Sequence, residues 1–402
     1  MRLECLRCGR QASRTDTVGC DACGGALSVR YDATLDPDRI AAGETLFERY
    51  GDRLPSAGSV AGIEGETPLV RADRLASSLD VDATVYVKDE RRNPTSSFKD
   101  RAYAPAVSLA AEEGEEAVVT ASTGNAAAAC ALYAARADLP CYLLVAGNAP
   151  AHKLTEPLAY GARAVRVDGL FDGGEVTLID TLEAVADQLG AYLAFAYRPF
   201  NPVLEEGIKT ISYEVAEALE WTSPDVVVTA TGGGDNLVAQ HRGFRELHEA
   251  GLVETTPRMV AAQAAGASAV VDAIERDAES PIPPSTTDTV ASGIDATFAS
   301  DRVVEVIRES GGTAIAVSDE ALLDGERTLA KTTGVWAEPA SAVVVPVLTE
   351  LAARGTIGSG DVVVLTVTGS GHKHVEPFEP RLPTVERVDC DPDAVASALR
   401  SD

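Results

Sequence analysis

From residue 83 onward the chain alternates short, continuously apolar runs with stretches of helical periodicity. "ATVYVKDE" reads as a strand and residues 99–113 as a helix. "AVVTAS" is a strand, followed by an alanine-rich helix over 125–136. "CYLLVA" is a strand, 151–161 a helix, and "ARAVRVD" a strand. "DVVVTAT", "RMVAAQ", "TAIAVS" and "DVVVLTVTGS" follow, each set apart by helical stretches. Continuous β-branched runs between helices of roughly a dozen residues indicate parallel strands buried on both faces. The fold class is therefore α/β, with open, mainly parallel sheets. There are too many strands for one comfortable sheet, which points to two α/β subdomains. The body opens at "GETPLV" and spans 61–375, with the smaller subdomain at about 100–195. Residues 32–60 read as a connector with a short helix starting after Pro37, and 376–402 as a short, acidic, proline-containing tail. There is no internal repeat.

The pattern breaks down before residue 32, where cysteines take over. Cys5-x2-Cys8 and Cys20-x2-Cys23 are two paired-thiol knuckles, each followed by glycine. Four thiolates suit a closed tetrahedral zinc site, and so small a unit needs a staple. The gap between the pairs is shorter than the commonest spacing, and unmetallated thiols packing the knuckle are the alternative. We expect residues 1–31 to form a zinc-ribbon-like unit with a structural role, since no ligand position is left open. Seven cysteines, four of them clustered in the first 23 residues, argue against a disulfide framework.

Composition narrows the classes. Hydrophobic residues make up 45% of the chain, so it is not disordered. The formal net charge is −28, the wrong sign for a nucleic-acid binder. No apolar run reaches membrane-spanning length and no apolar signal region opens the chain, so we expect a cytoplasmic protein with no membrane partner. The acidity is dispersed and lysine is scarce: only Lys88, Lys99, Lys153, Lys209, Lys331 and Lys373 occur. That pattern suits a high-salt environment, where screening weakens self-repulsion.

Four polar turns, three of them glycine-bearing, follow predicted strands, where open α/β sheets place ligands. "NPTSSFKD" puts Lys99 at a helix start, where the positive end of the dipole disfavours a protonated amine. A lowered pKa is what a Schiff-base lysine needs. A surface lysine in an ion pair is the plainer reading of that turn alone. "TASTGNAAAAC" places Ser122, Thr123, Gly124 and Asn125 at the next helix start, where they can receive an anion or simply cap the helix. "TATGGGDNL" ends a β-branched strand with Gly232, Gly233 and Gly234, followed by Asp235 and Asn236. Three glycines let a phosphate approach the backbone, yet neither a dinucleotide fingerprint nor a Walker motif is present. "VTGSGHKH" offers the neutral hydroxyl of Thr368. His372 and His374 lack a third ligand, so no metal is assigned to them. Glu338 in "AEPASA" begins a helix, as acidic residues do on dipole grounds, and is only a minor candidate for cofactor contact.

A Schiff-base lysine, an anion-binding Ser/Thr-Gly-Asn turn, a glycine phosphate cup and a lone hydroxyl together describe a pyridoxal phosphate site. With "VKDERRNPTSSFKDRA", "ASTGNAAAACALYAARA", "EEGIKT", "TGGGDNL", "AEPASA", "VTGSGHK" and the cysteine-bearing N-terminus, the chain resembles the threonine synthases among the fold type II pyridoxal phosphate enzymes, over nearly its whole length. The resemblance implies that Lys99 holds the cofactor and moves protons. It implies that Asn125 bonds the ring hydroxyl, residues Gly232 to Asn236 hold the cofactor phosphate, and Thr368 faces the ring nitrogen. Ser122, Thr123 and Gly124 would take the carboxylate of an amino-acid substrate. The implied reaction turns O-phospho-L-homoserine and water into L-threonine and phosphate. A homodimer is one assembly open to such a chain.

One stretch departs from the family. Threonine synthases commonly carry an Asn-Ser pair and an arginine around the Asn-Pro before "EGxKT", and these groups help bind the substrate's phosphate. Here "AYRPFNPVLEEGIKT" has Arg198 and Pro199 at the pair and Leu204 at the arginine position. The ending "TGSGHKH" also differs from the commoner "TGHGLKD". Arg198 is the expected replacement for the lost charge. Otherwise the substrate lacks a γ-phosphate, and the enzyme is a threonine or serine ammonia-lyase or a phosphoserine-using β-replacement enzyme. A non-catalytic zinc-bearing interaction protein is a third reading, opposed by the intact Lys99.

The acidic surface gives a first prediction. Melting temperature should fall as salt is lowered from molar to millimolar concentration, and a melting curve indifferent to salt would remove the high-salt reading.

Overall fold

The structure is a computed structural model that describes residues 1–16, 19–60, 62–170, 174–197, 201–284 and 286–400. Among them, no helix is long and apolar enough to cross a membrane. Two parallel sheets carry the body. The larger has the strand order Thr313–Val317, Arg258–Ala264, Val226–Ala230, Val362–Val367, Thr84–Asp89, Leu69–Arg71. Its strands are parallel except Leu69–Arg71, an antiparallel edge. The smaller sheet runs Arg163–Val167, Cys141–Ala146, Ala117–Ala121, Ala191–Leu193, all parallel. Every residue of Val226–Ala230 and of Ala117–Ala121 is buried, as continuous apolar runs covered on both faces must be.

Each run read as a strand in the sequence is a strand, and the helices Lys99–Glu113 and Asn125–Arg136 fall where periodicity put them. Two three-residue strands, Leu69–Arg71 and Ala191–Leu193, are too short to show a period. The helix expected over 151–161 is a 3-10 turn, Ala151–Leu154, followed by a short α-helix, Thr155–Ala159. In the connector two short helices replace one. Asp36 caps Pro37–Ala42, which ends at Gly43, and Thr45 and Glu48 form a reciprocal capping box that starts Leu46–Tyr50.

The helix Lys99–Glu113 lies deep in the body and is buried from Asp100 to Ala110. Pro105 inside it has no N–H to give the Arg101 carbonyl. The helix Val203–Ile208 packs there through Gly207, where a Cβ would lie 1.7 Å from that carbonyl oxygen. Arg101 turns its guanidinium inward. It donates to Glu90 at 2.7 and 2.9 Å and to Glu214 at 2.6 Å through each terminal nitrogen. Lys88 donates to Glu214 at 2.7 Å and to the Thr67 carbonyl at 2.6 Å. Burial alone would raise the pKa of Glu214, but Arg101 and Lys88 hold it below the carboxylate range.

The N-terminal unit is a small antiparallel sheet with Arg2–Cys5 between Gln11–Ala12 and Leu27–Arg30. Arg242 ties it to the body, donating to the Val29 carbonyl at 3.0 Å while pairing with Glu206 and Glu246.

Candidate active site

The carboxyl ends of both sheets face a cavity of about 980 Å³. Lys99, Ser122, Thr123, Gly124, Asn125, Gly232, Gly233, Gly234, Asp235, Asn236 and Thr368 all line it. These residues come from four separate stretches of sequence. Arg198 lies outside the described residues.

Lys99 is the first residue of its helix, and its position is set by backbone pairing upstream. Ser97 bridges to Gly369, Ser370 N–H donates to the Ser96 carbonyl at 3.0 Å, and Phe98 N–H donates to the Thr368 carbonyl at 2.9 Å. The turn requires Ser96 at φ 59°, a left-handed conformation that costs a non-glycine residue roughly 1–2 kcal/mol. That cost is met by this pairing and by the Ser96 N–H bond to the Asn93 carbonyl at 2.8 Å. Burial lowers the pKa of Lys99 by disfavouring its ammonium, and Asp235 pulls the other way.

Asn125 opens its helix just after the Ser122–Gly124 turn, with the N–H of Gly124 bonded to Ser122 Oγ at 3.2 Å. Two backbone cups therefore open on one cavity, this turn and the stretch Gly232–Gly234. The second heads the fifteen-residue helix Asp235–Glu249, whose dipole favours an anion there. Gly234 has φ 100°, and a Cβ on it would sit 2.8 Å from Val303 Cβ. The Asn236 side chain turns inward, donating to Thr229 Oγ1 at 2.9 Å, so the cup presents backbone rather than side chain.

Along the cavity a polar chain runs through residues that sequence reading had ranked low or missed. Asn125 Nδ2 donates to Glu338 at 2.9 and 3.2 Å. Thr368 Oγ1 and Ser341 Oγ are 2.6 Å apart, and the Gly369 N–H donates to Ser341 Oγ at 2.8 Å. At Gly369 a Cβ would be 2.2 Å from Glu338 Oε1 and would displace that carboxyl. The capping position of Glu338 was legible in "AEPASA", but its partner 213 residues away was not. Ser292–Phe298 complete the rim, with Phe298 packed on Tyr197 at 4.8 Å between ring centroids. No strand signal preceded that loop in the sequence.

A second constellation lies in the N-terminal unit. The sulfurs of Cys5, Cys8, Cys20 and Cys23 all lie within 4.8 Å of one another, which suits one metal ion.

Comparison with known proteins supports these observations. Residues 60–369 match the family model described as pyridoxal-phosphate dependent enzyme. The chain is similar to the threonine synthase of Methanosarcina acetivorans, at 36% identity over 375 residues, covering 91% of each chain. It is similar to that of Methanocaldococcus jannaschii at 32% identity over 412 aligned positions, with both covered fully. Its fold is also that of maize serine racemase, with a TM-score of 0.66 at 21% identity, covering 87% of this chain and 100% of the other.

The buried carboxyl of Glu338 gives a pH prediction. Burial pushes Glu338 up from 4.5 to about 7, against the pull of Lys373 and Asn125. Between those values the folded chain keeps a proton that the unfolded chain has released, so stability falls as pH rises through that window. In cofactor-free protein, Glu338→Gln should flatten the decline in melting temperature between about pH 4.5 and 7 by an amount worth roughly 3 kcal/mol. Parallel profiles for the two proteins would show that this carboxyl does not carry the effect.

Proposed function

The chain belongs to the pyridoxal-phosphate dependent enzymes and, within them, to the threonine synthases, and on that premise we propose that it converts O-phospho-L-homoserine and water into L-threonine and phosphate. The observation that carries the reading is the convergence of Lys99, two backbone anion cups and the neutral hydroxyl of Thr368 on one cavity. This donor set fits pyridoxal phosphate: a desolvated amine for its aldehyde, a glycine cup at a helix N-terminus for its phosphate, and an amide and a hydroxyl for its ring. When bound, the cofactor supplies an electron sink for the charge left at the substrate's α carbon.

The residues then have distinct tasks. Gly232 to Asn236 receive the cofactor phosphate through backbone N–H groups. Asn125 holds the ring hydroxyl, and Glu338 holds Asn125. Thr368, fixed by Ser341, meets the ring nitrogen with a neutral group, which favours elimination and replacement over deeper charge withdrawal. Ser122, Thr123 and Gly124 bind the substrate carboxylate. Lys99 would remove the α proton and then the β proton of the substrate. Its lowered pKa eases both transfers at neutral pH. Phosphate leaves from the γ carbon, which becomes a methyl group by taking up a proton. Water adds at the β carbon, and the α proton is restored.

The four cysteines hold a structural zinc ion in this reading, the convergence of their sulfurs being its support. A cytoplasmic enzyme that works as a homodimer in high salt completes the picture.

Two experiments test it. With pyridoxal phosphate and high salt, the protein should release phosphate and threonine together from O-phospho-L-homoserine, and Lys99→Ala should stay folded while losing the visible absorption of the lysine adduct and all turnover. Keto acid and ammonia from threonine, without phosphate release, would replace the proposed reaction with an ammonia-lyase. For the metal, Cys20→Ser with Cys23→Ser should remove bound zinc and lower the melting temperature, and an unchanged zinc content would refute the site.

A further inference from the structure

Lys373 lines the cavity but has no part in the steps proposed above. It ends the 3-10 turn Gly371–Lys373, just after the strand Val362–Val367 of the larger sheet. Its side chain is 15% exposed, and its ammonium donates to two distant acceptors. One is the Thr95 carbonyl at 2.6 Å, the other Glu156 at 2.8 Å.

The two acceptors belong to different elements. Glu156 is on the short helix Thr155–Ala159, which lies between the strands Cys141–Ala146 and Arg163–Val167 of the smaller sheet. Thr95 is in the turn that delivers Lys99. Its N–H donates to Asp100 Oδ2 at 3.0 Å, and its hydroxyl donates to the same oxygen at 2.6 Å. Asp100 follows Lys99 directly and is fully buried. Polar contacts therefore run without a break from Glu156 through Lys373 and Thr95 to the residue beside the cofactor lysine.

The turn has need of a clamp. Ser96 stands in a left-handed conformation, so its neighbours must be held on both sides. Ser97 is held by its bridge to Gly369, and Thr95 by Asp100 and Lys373. Thr95 is 1% exposed, so its carbonyl would have little access to water in place of the ammonium. The ammonium in turn depends on Glu156, because a charge so enclosed is favourable only beside an opposite one. The two contacts thus support each other. They form together only when the helix carrying Glu156 stands against the exit of the larger sheet.

We infer that Lys373 is a positioning residue for Lys99: paired with Glu156, it clamps Thr95 and so fixes the turn from which the amine emerges. The inference rests on Lys99 as the cofactor lysine and is independent of which amino acid is the substrate. Lys373 takes no part in proton transfer.

The test compares Lys373→Met, Glu156→Ala, the double variant and Lys373→Arg. In cofactor-free protein, amide hydrogen exchange at Ser96 and Phe98 reads the turn directly, since these N–H groups bond to the Asn93 and Thr368 carbonyls. Lys373→Met and Glu156→Ala should each speed exchange there about 10- to 100-fold, while the strands Ala117–Ala121 and Val226–Ala230 keep their protection. When pyridoxal phosphate is then added, the visible absorbance of the lysine adduct should appear about 10-fold more slowly in each. The double variant should match the slower single one, because both changes break the same chain. Lys373→Arg should recover most of both effects. Unchanged exchange at Ser96 and Phe98 in either single variant would overturn the inference, and slow adduct formation in Lys373→Met with a normal rate in Glu156→Ala would make Lys373 a direct contact of the cofactor instead. Additive losses in the double variant, or equal loss of protection in the two strands, would also overturn it. A wild-type protein that forms no adduct would remove the cofactor assignment of Lys99 and this inference together, whereas a normal adduct with an undisturbed turn removes the inference alone.

Discussion

The buried guanidinium of Arg101 is the contact from which the site is built. It lies two residues after Lys99 on the same helix, fully enclosed, and its carboxylate partners come from two other segments, one of them 113 residues away. Removing one partner from a buried pair leaves an uncompensated charge, at a cost of about 3–5 kcal/mol. A slip of this helix by one residue would do the same. The network therefore acts less as a source of stability than as a register pin. It fixes where the helix begins, and so where the amine of Lys99 emerges. Lysine could not replace Arg101, because a point charge cannot fork onto Glu90 and Glu214 at once.

The second constraint is that the cavity walls belong to different sheets and must be held in step. The segment Ser96–Phe98 pairs through its backbone with Thr368–Ser370. The residue before Lys99 is thereby joined to Thr368, which lines the same cavity. Across the same space the amide of Asn125, from the smaller sheet, is held by Glu338, next to the larger one. Asn125 and Thr368 are thus each restrained by a neighbour, the arrangement a site needs to keep reacting atoms in line.

Much of this was legible in the sequence, for a physical reason. Strands buried on both faces must be apolar throughout, so most of the eight that were read stood out from their runs, while the edge strand Arg163–Val167 is largely exposed and was read from its β-branched residues. Backbone cups need glycine and short polar residues just after a strand, which exposed the turns at 122–125 and 232–236. The partnerships were hidden. Nothing local in "AEPASA" points to Asn125, and nothing in "APAHKLTEP" distinguishes Glu156 from a surface carboxylate on a helix. These residues acquire meaning only when the fold brings distant segments within hydrogen-bond reach. The antiparallel edge at Leu69–Arg71 was hidden for another reason: three residues carry too little pattern to be read.

Net charge sets the last condition. A chain of −28 repels a substrate and a cofactor that are both anionic, and at low ionic strength that field would extend well beyond the cavity. Concentrated salt shortens its reach to a few ångströms, about the size of one hydrogen-bonded contact. Recognition then depends on groups that act at that range: oriented N–H groups, a helix terminus, and a few ammonium groups placed where an anion must sit. The use of lysine follows the same logic. Three of the six line the cavity, while two others neutralise buried carboxylates. Lysine, scarce on a surface whose positive charge is carried by arginine, is thus concentrated in the interior of the body and at the site.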